Sequence, residues 1–219
     1  PLIYHLAQRG WVVVTPNYRL SPRARFPDHL VDCKRALAWV RRNVTAYGGD
    51  PGFVAVTGGS AGGHLTALMA LTANEARLQP GFEYVDTSVA AAVPFYGVYD
   101  FTDRHGLKGS GAAMVQWLER TVMPCPPAAD PQLWDLASPI AQLRGDAPPF
   151  FILHGTHDSL ASVAEARRFA AALREVSAQP VVYAELPGAQ HAWDVFRSLR
   201  AMESVHAVAR FLEWARARH

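Results

Sequence analysis

The sequence predicts an α/β fold: a mostly parallel sheet with helices packed on both of its faces. Three observations carry that prediction. Short, β-branched apolar runs recur along the chain, among them WVVVT (11–15), FVAVT (53–57) and PVVYAEL (180–186). Longer stretches with apolar residues at helical spacing separate them, and Gly or Pro punctuates most joints. Strands that are apolar throughout are buried on both faces, and their alternation with helices is the pattern of a parallel sheet. Right-handed crossovers then gather the strand ends and their loops along one edge.

Each element follows from local residues. Residues 1–9 read as helix, and Gly10 is placed to be the left-handed residue that ends it. WVVVT (11–15) reads as a buried strand stopped by Pro16. FPDHLVDCKRALAWVRRNVTAYGG carries Leu30, Cys33, Leu37, Val40 and Val44 at helical spacing, with Pro27 in its first turn and Gly48-Gly49 at its end. FVAVT (53–57) is a second buried strand, leading through a serine turn into a helix up to about Ala73. SVAAAVPFY (88–96) and PFFILHG (149–155) are the third and fourth strands, and 163–176 is an amphipathic helix. PVVYAEL (180–186) is the fifth strand, and a last helix runs from about Asp194 to Arg216. Residues 97–148 interrupt this rhythm for about fifty positions, rich in Pro and Gly, with one helical stretch near 112–122. An insertion of that size above a sheet edge is a candidate lid or pocket wall within a single domain spanning 1–219.

Bulk composition excludes several classes. The 219 residues are 50% hydrophobic and 18% charged, with a net charge of +2, which is ordinary for a globular domain. No basic run exceeds Arg41-Arg42 or Arg167-Arg168, so a nucleic-acid partner is not expected. No apolar run reaches the roughly 18 residues of a membrane span. Two cysteines, Cys33 and Cys125, make no disulfide framework. The chain opens on Pro1 inside what reads as a helix already under way, so an N-terminally incomplete domain is expected.

Chemistry concentrates in VTGGSAGGHL (56–65). Gly58-Gly59-Ser60-Ala61-Gly62 matches G-x-S-x-G between a strand and a helix, where a serine on a strained turn stands clear of the sheet. Glycines two residues to either side relieve the crowding. The amide of Ala61, at the positive end of the following helix, is aimed at a developing oxyanion. The alternative is a glycine-rich turn with an idle serine.

A serine hydroxyl needs a base, and the base an orienting acid, in the chain order Ser, then Asp or Glu, then His. Of the nine histidines, His191 alone sits in a loop just after the last strand, in LPGAQHAWD. His64 lies within the helix after the serine, His154 ends a strand before any suitable acid, and His206 is mid-helix. Asp158, in LHGTHDSL, follows the fourth strand at the same edge, whereas Asp194 is read as the start of the last helix. The competing readings are that His191 caps the final helix and that Asp158 closes an Asx-turn. His154, His157 and Asp158 also spell H-x-x-H-D, but a strand end and a tight turn would not converge both rings on a metal, so none is expected. In the insertion Tyr99, Phe101, Trp117 and Trp134 are candidates for an acyl pocket, or else for the insertion's own core.

NYRLSPRARFPDHLVD, YGGDPGFVAVTGGSAGGHLTAL, APPFFILHGTHDSL and VYAELPGAQHAWD together resemble the bacterial hormone-sensitive-lipase-like branch of the α/β-hydrolases. The resemblance covers nearly the whole chain. It implies the α/β-hydrolase fold and hydrolysis of carboxylic esters, usually of short acyl chains, without cofactor or metal. It also implies Ser60 as nucleophile, Asp158 as acid, His191 as base and Ala61 as one oxyanion donor. The implied partner is a small-molecule ester, and a homodimer is among the assemblies left open. The family's His-Gly-Gly motif, which gives the other oxyanion donors, has no counterpart here. The strand carrying that motif runs, in the family, between those matching WVVVT and FVAVT. Two further readings keep the fold but change the function: an amide, formamide or acyl-peptide hydrolase with the same triad, and a binding protein that has lost its chemistry.

Overall fold

The computed structural model describes residues 1–108 and 112–219, so that residues 109–111 of the insertion lie outside the described part. Four parallel strands form one sheet in the order β1 (Ala55–Gly59), β2 (Ala91–Phe95), β3 (Phe150–Gly155) and β4 (Val181–Leu186). The register runs from Ala55 opposite Ala91 to Gly59 opposite Phe95, and from Phe150 opposite Val181 to Gly155 opposite Leu186. Each crossover carries helical segments: α3 (Ala61–Leu71) between β1 and β2, α4 (Ala112–Thr121) and α5 (Pro131–Leu136) between β2 and β3, and α6 (Val163–Val176) between β3 and β4. Ahead of the sheet come α1 (Leu2–Gln8) and α2 (Asp28–Asn43), and α7 (Leu199–Arg216) closes the chain. No helix among the described residues is long and apolar enough to cross a membrane.

Period-two alternation divides the sheet between two cores. Ala92, Phe150 and Ile152 face a layer built from α2, α3, α5 and α6, with Leu30, Leu68, Trp134 and Phe169 at its centre. Ala91, Val93, Phe151 and Leu153 face the other side, where Leu6 of α1 and Val208, Phe211 and Leu212 of α7 cover them. Strands β2 and β3 are buried at every position. Helix α3 is buried at every residue from Gly63 to Leu71, because it lies between the sheet, α2 and the insertion.

The expected first strand is not in the sheet. Residues 11–15 form no ladder, and Val12 and Val14 are 40% and 42% exposed. A strand exists only through its partner, and a groove of about 630 Å³ separates residues 11–16 from β1. Val13, Thr15 and Tyr18 line the groove together with Val54, Val56 and Gly58. For the same reason β1 is an edge strand, half-buried where FVAVT reads as fully buried. Other boundaries move. The second strand, expected over 53–57, pairs over 55–59. The third strand shortens to 91–95. The last helix begins at Leu199, where the Ser198 hydroxyl accepts the Ala201 amide at 3.2 Å, and not near Asp194.

The insertion is clamped to α6. The buried Glu165 carboxylate takes the Lys108 ammonium at 2.8 Å and the amides of Tyr99 and Asp100. His64 of α3 meets the insertion too: its ring stacks on Phe101 with centroids 4.3 Å apart, and its Nε2–H donates to the Ala137 carbonyl at 2.7 Å. Burial pushes the His64 imidazole down to about 4, against the opposing pull of that bond. The unfolded chain therefore takes up a proton near pH 6.5 that the folded chain refuses until about pH 4. The stability His64 contributes is complete above pH 6.5 and is lost as the pH falls toward 4, by about 3 kcal/mol across the window. Comparing Tm at pH 7 and pH 4.5 for wild type and His64→Gln measures this. The variant should lose much less stability on acidification, and an unchanged difference would refute the assignment.

Candidate active site

β1 delivers the chain to Ser60, which holds φ 57° and ψ −118° before α3 begins. Such a conformation costs a non-glycine residue about 1–3 kcal/mol and persists only where its surroundings enforce it. Here the Ser60 amide donates to the Phe95 carbonyl at 3.0 Å, and the Ser60 carbonyl accepts the His64 amide at 3.0 Å. Close approach explains the glycines unevenly. A Cβ on Gly58 would come 2.7 Å from the Gly62 carbonyl, and one on Gly63 would collide with the Phe95 carbonyl. A Cβ on Gly62 meets nothing within 4 Å, because Gly62 faces the open groove. The crowding expected on both sides of the serine is thus found at Gly58 and Gly63 but not at Gly62. Ala61 opens α3, exposed to solvent, and the first amides of a helix have no acceptor within it.

The other two residues arrive from the same sheet edge. Asp158 follows β3, and His191 lies in the turns after β4. His191 Nε2 is 2.8 Å from Ser60 Oγ, and His191 Nδ1 is 2.8 Å from Asp158 Oδ2. The three side chains thus form a continuous relay across 131 positions of sequence. Asp158 also closes an Asx-turn, its Oδ1 accepting the amides of Leu160 and Ala161 at 2.9 and 2.8 Å. The contact with the His191 ring and the Asx-turn thus coexist in one carboxylate. Burial alone would raise the Asp158 carboxyl, but hydrogen bonds from His154, His191 and the two amides hold it far below the usual carboxylate range. It stays ionised opposite the His191 ring, as orienting a base requires.

Two neighbours take places that the sequence reading did not give them. Tyr96 follows β2 with φ 35°, its ring centroid 4.6 Å from that of His191, and its hydroxyl donates to Asp194. Burial and the Asp194 carboxylate hold the Tyr96 phenol well above its usual value, so it remains a donor. Asp194 is thus a tether for the His191 turn and not the start of a helix. The signal was PFYG, whose tyrosine ends a strand at the serine edge. His154 is the second, buried at the end of β3, with Nε2 3.4 Å from Asp158 Oδ2. His157 is exposed, so the H-x-x-H-D residues do not converge.

The candidate pocket aromatics lie elsewhere. Tyr99, Phe101 and Trp134 are packed in the main core, Tyr99 stacked on Phe169 with centroids 4.3 Å apart. Trp117, on α4, is 54% exposed. None of the four lines the groove beside β1.

Comparison with known proteins agrees with this architecture. The BD-FAE family profile matches residues 1–173. The chain is 56% identical over 212 residues to the probable carboxylic ester hydrolase LipM of Mycobacterium tuberculosis, covering 97% of this chain and 49% of that protein. It is 49% identical over 212 residues to the esterase LipQ of the same organism, covering 97% and 50%. The chain thus spans about half the length of the curated relatives it matches. A truncated carbohydrate esterase from gut microbiota superposes with a TM-score of 0.80 at 23% identity, covering 98% of this chain and 78% of that one, which is a likeness of fold. The chain belongs to the BD-FAE family, within the hormone-sensitive-lipase-like carboxylesterases of the α/β-hydrolase superfamily.

Proposed function

We propose that this chain is the catalytic part of a serine hydrolase that cleaves small carboxylic esters, with a preference for short acyl chains. The observation that carries the reading is the pair of 2.8 Å contacts linking Ser60, His191 and Asp158. His191 Nε2 takes the Ser60 proton as Oγ attacks the ester carbonyl. Asp158 holds the ring by Nδ1–H and stabilises the imidazolium that results. The Ala61 amide receives the oxyanion, and His191 returns the proton to the departing alcohol. Water then repeats the sequence on the acyl-enzyme. The names of LipM and LipQ, as ester hydrolase and esterase, favour an ester over an amide.

The reading extends to the groove beside β1. It is the right place for a further strand between residues 11–16 and β1, carrying the remaining oxyanion donors, and it reaches Gly58, Gly59 and Gly62 at the serine turn. An active-site-directed fluorophosphonate should label the protein once, on Ser60, and Ser60→Ala should abolish the adduct. A fold that had lost its chemistry would take no label.

A further inference from the structure

We propose that His154 is a positioning residue of the triad: its Nε2–H fills the last acceptor position of the Asp158 carboxylate and fixes how that carboxylate meets His191. The proposal rests on the triad reading above. His154 stands on β3, four residues before Asp158, and both side chains are 0% exposed. Its Nε2 lies 3.0 Å from the Ala161 carbonyl oxygen and 3.4 Å from Asp158 Oδ2. Both neighbours are acceptors only, so Nε2 carries the hydrogen; its bond runs to the Ala161 carbonyl, with Asp158 Oδ2 as a longer, secondary contact.

A carboxylate offers about four acceptor positions. On Asp158, Oδ1 takes the amides of Leu160 and Ala161, and Oδ2 takes His191 Nδ1–H and faces that of His154 at 3.4 Å. With its four positions approached in this way, the carboxylate cannot turn without giving up a contact. His154 Nδ1, by contrast, is buried without a partner. A leucine would pack in similar space without that cost, so packing alone does not account for an imidazole here. The other charged group beside the ring is Glu185, its register partner on β4. That carboxylate is held by Arg167 and by the Tyr183 hydroxyl at 2.9 Å.

The donor has two consequences. It holds Oδ2 in line with His191 Nδ1, and it draws off part of the negative charge that His191 feels. Without it, Asp158 is freer to swing and presents more negative charge to the ring, which favours the imidazolium over the free base that attack by Ser60 needs.

The test is the pH dependence of fluorophosphonate labelling at Ser60 in wild type, His154→Leu and His154→Gln, with Ser60→Ala as control. Leucine removes the donor, whereas glutamine presents an N–H at about the reach of imidazole Nε2. The leucine variant should label about tenfold more slowly at neutral pH, with its acid limb moved to higher pH, and glutamine should restore the rate to within about threefold. Two variants both as fast as wild type, or equally slow with the limb unmoved, would overturn the proposal and leave the triad standing. No Ser60 adduct in wild type would overturn both together. The ring nitrogens of His154, read by 15N NMR in the wild-type protein, decide the matter without any variant: protonated Nε2 supports the proposal and protonated Nδ1 alone overturns it.

Discussion

Ser60→Ala should lower kcat for p-nitrophenyl acetate by about 10⁴- to 10⁶-fold, with a comparable loss for His191→Ala and little further loss when the two are combined. The size follows from interdependence. In the proposed mechanism the hydroxyl is inert until His191 Nε2, 2.8 Å away, accepts its proton, and the imidazole is useless without the nucleophile it serves. What survives in either variant is what substrate binding and the oxyanion amides supply to attack by water. Ser60 holds φ 57°, so alanine inherits the strain without the hydroxyl, and the fold should otherwise be unchanged. Initial rates in the two single variants and the double variant decide it. A Ser60→Ala protein with more than about a tenth of wild-type activity would mean that another group attacks the ester.

The second large effect concerns the groove. The 219-residue chain by itself should turn over esters about 10²- to 10³-fold more slowly than the same protein extended upstream of Pro1 toward the length of its relatives. The reason lies at two places along one edge. The proposed mechanism has one oxyanion amide, that of Ala61, and β1 presents a half-buried edge to a groove of about 630 Å³. Unpaired edge groups cost about 1–3 kcal/mol each where water reaches them poorly, against a total stability of about 5–15 kcal/mol. Such an edge also invites pairing with other chains. A broad, concentration-dependent melt is therefore expected for the short chain and a sharp one for the extended protein. Calorimetry and esterase rates on both would settle it, and a sharp transition with equal turnover from residues 1–219 would refute it.

The geometry of the candidate triad was legible because each of its residues lies in the turn that follows a strand. FVAVT, PFFILHG and PVVYAEL are continuous apolar runs, and the residues that follow them must emerge at one edge if the strands are parallel. Ser60, Asp158 and His191 inherit their nearness from that topology. WVVVT failed for a reason invisible within it. Its residues are as β-prone as those of FVAVT, but pairing is a property of two segments, and the groove intervenes. Gly62 failed similarly, since the space around a Cβ depends on what fills the groove. Tyr96 was missed because its hydroxyl meets a partner distant in sequence, Asp194, and the place of His154 because only the turn after β3 brings Asp158, four residues on, back to 3.4 Å from its ring. For Trp134 and Tyr99 the sequence left two readings open, pocket and core, and the structure packs both rings in the core, because large rings are what lets an insertion build one.

The complete burial of α3 limits how this molecule can change over evolutionary time. Nine consecutive positions, Gly63 to Leu71, have no solvent face on which to accept a new side chain. Enlarging any of them would push on the sheet or on α2, and the displacement would reach Ser60 at the helix start. Selection for new substrates must therefore leave this segment alone and work through residues with room to vary, such as Trp117 on α4 or Leu160 and Phe196 in loops beside Asp158 and His191. A random-mutagenesis library screened against bulkier esters should return its gains from those exposed positions, while residues 63–71 accumulate almost none.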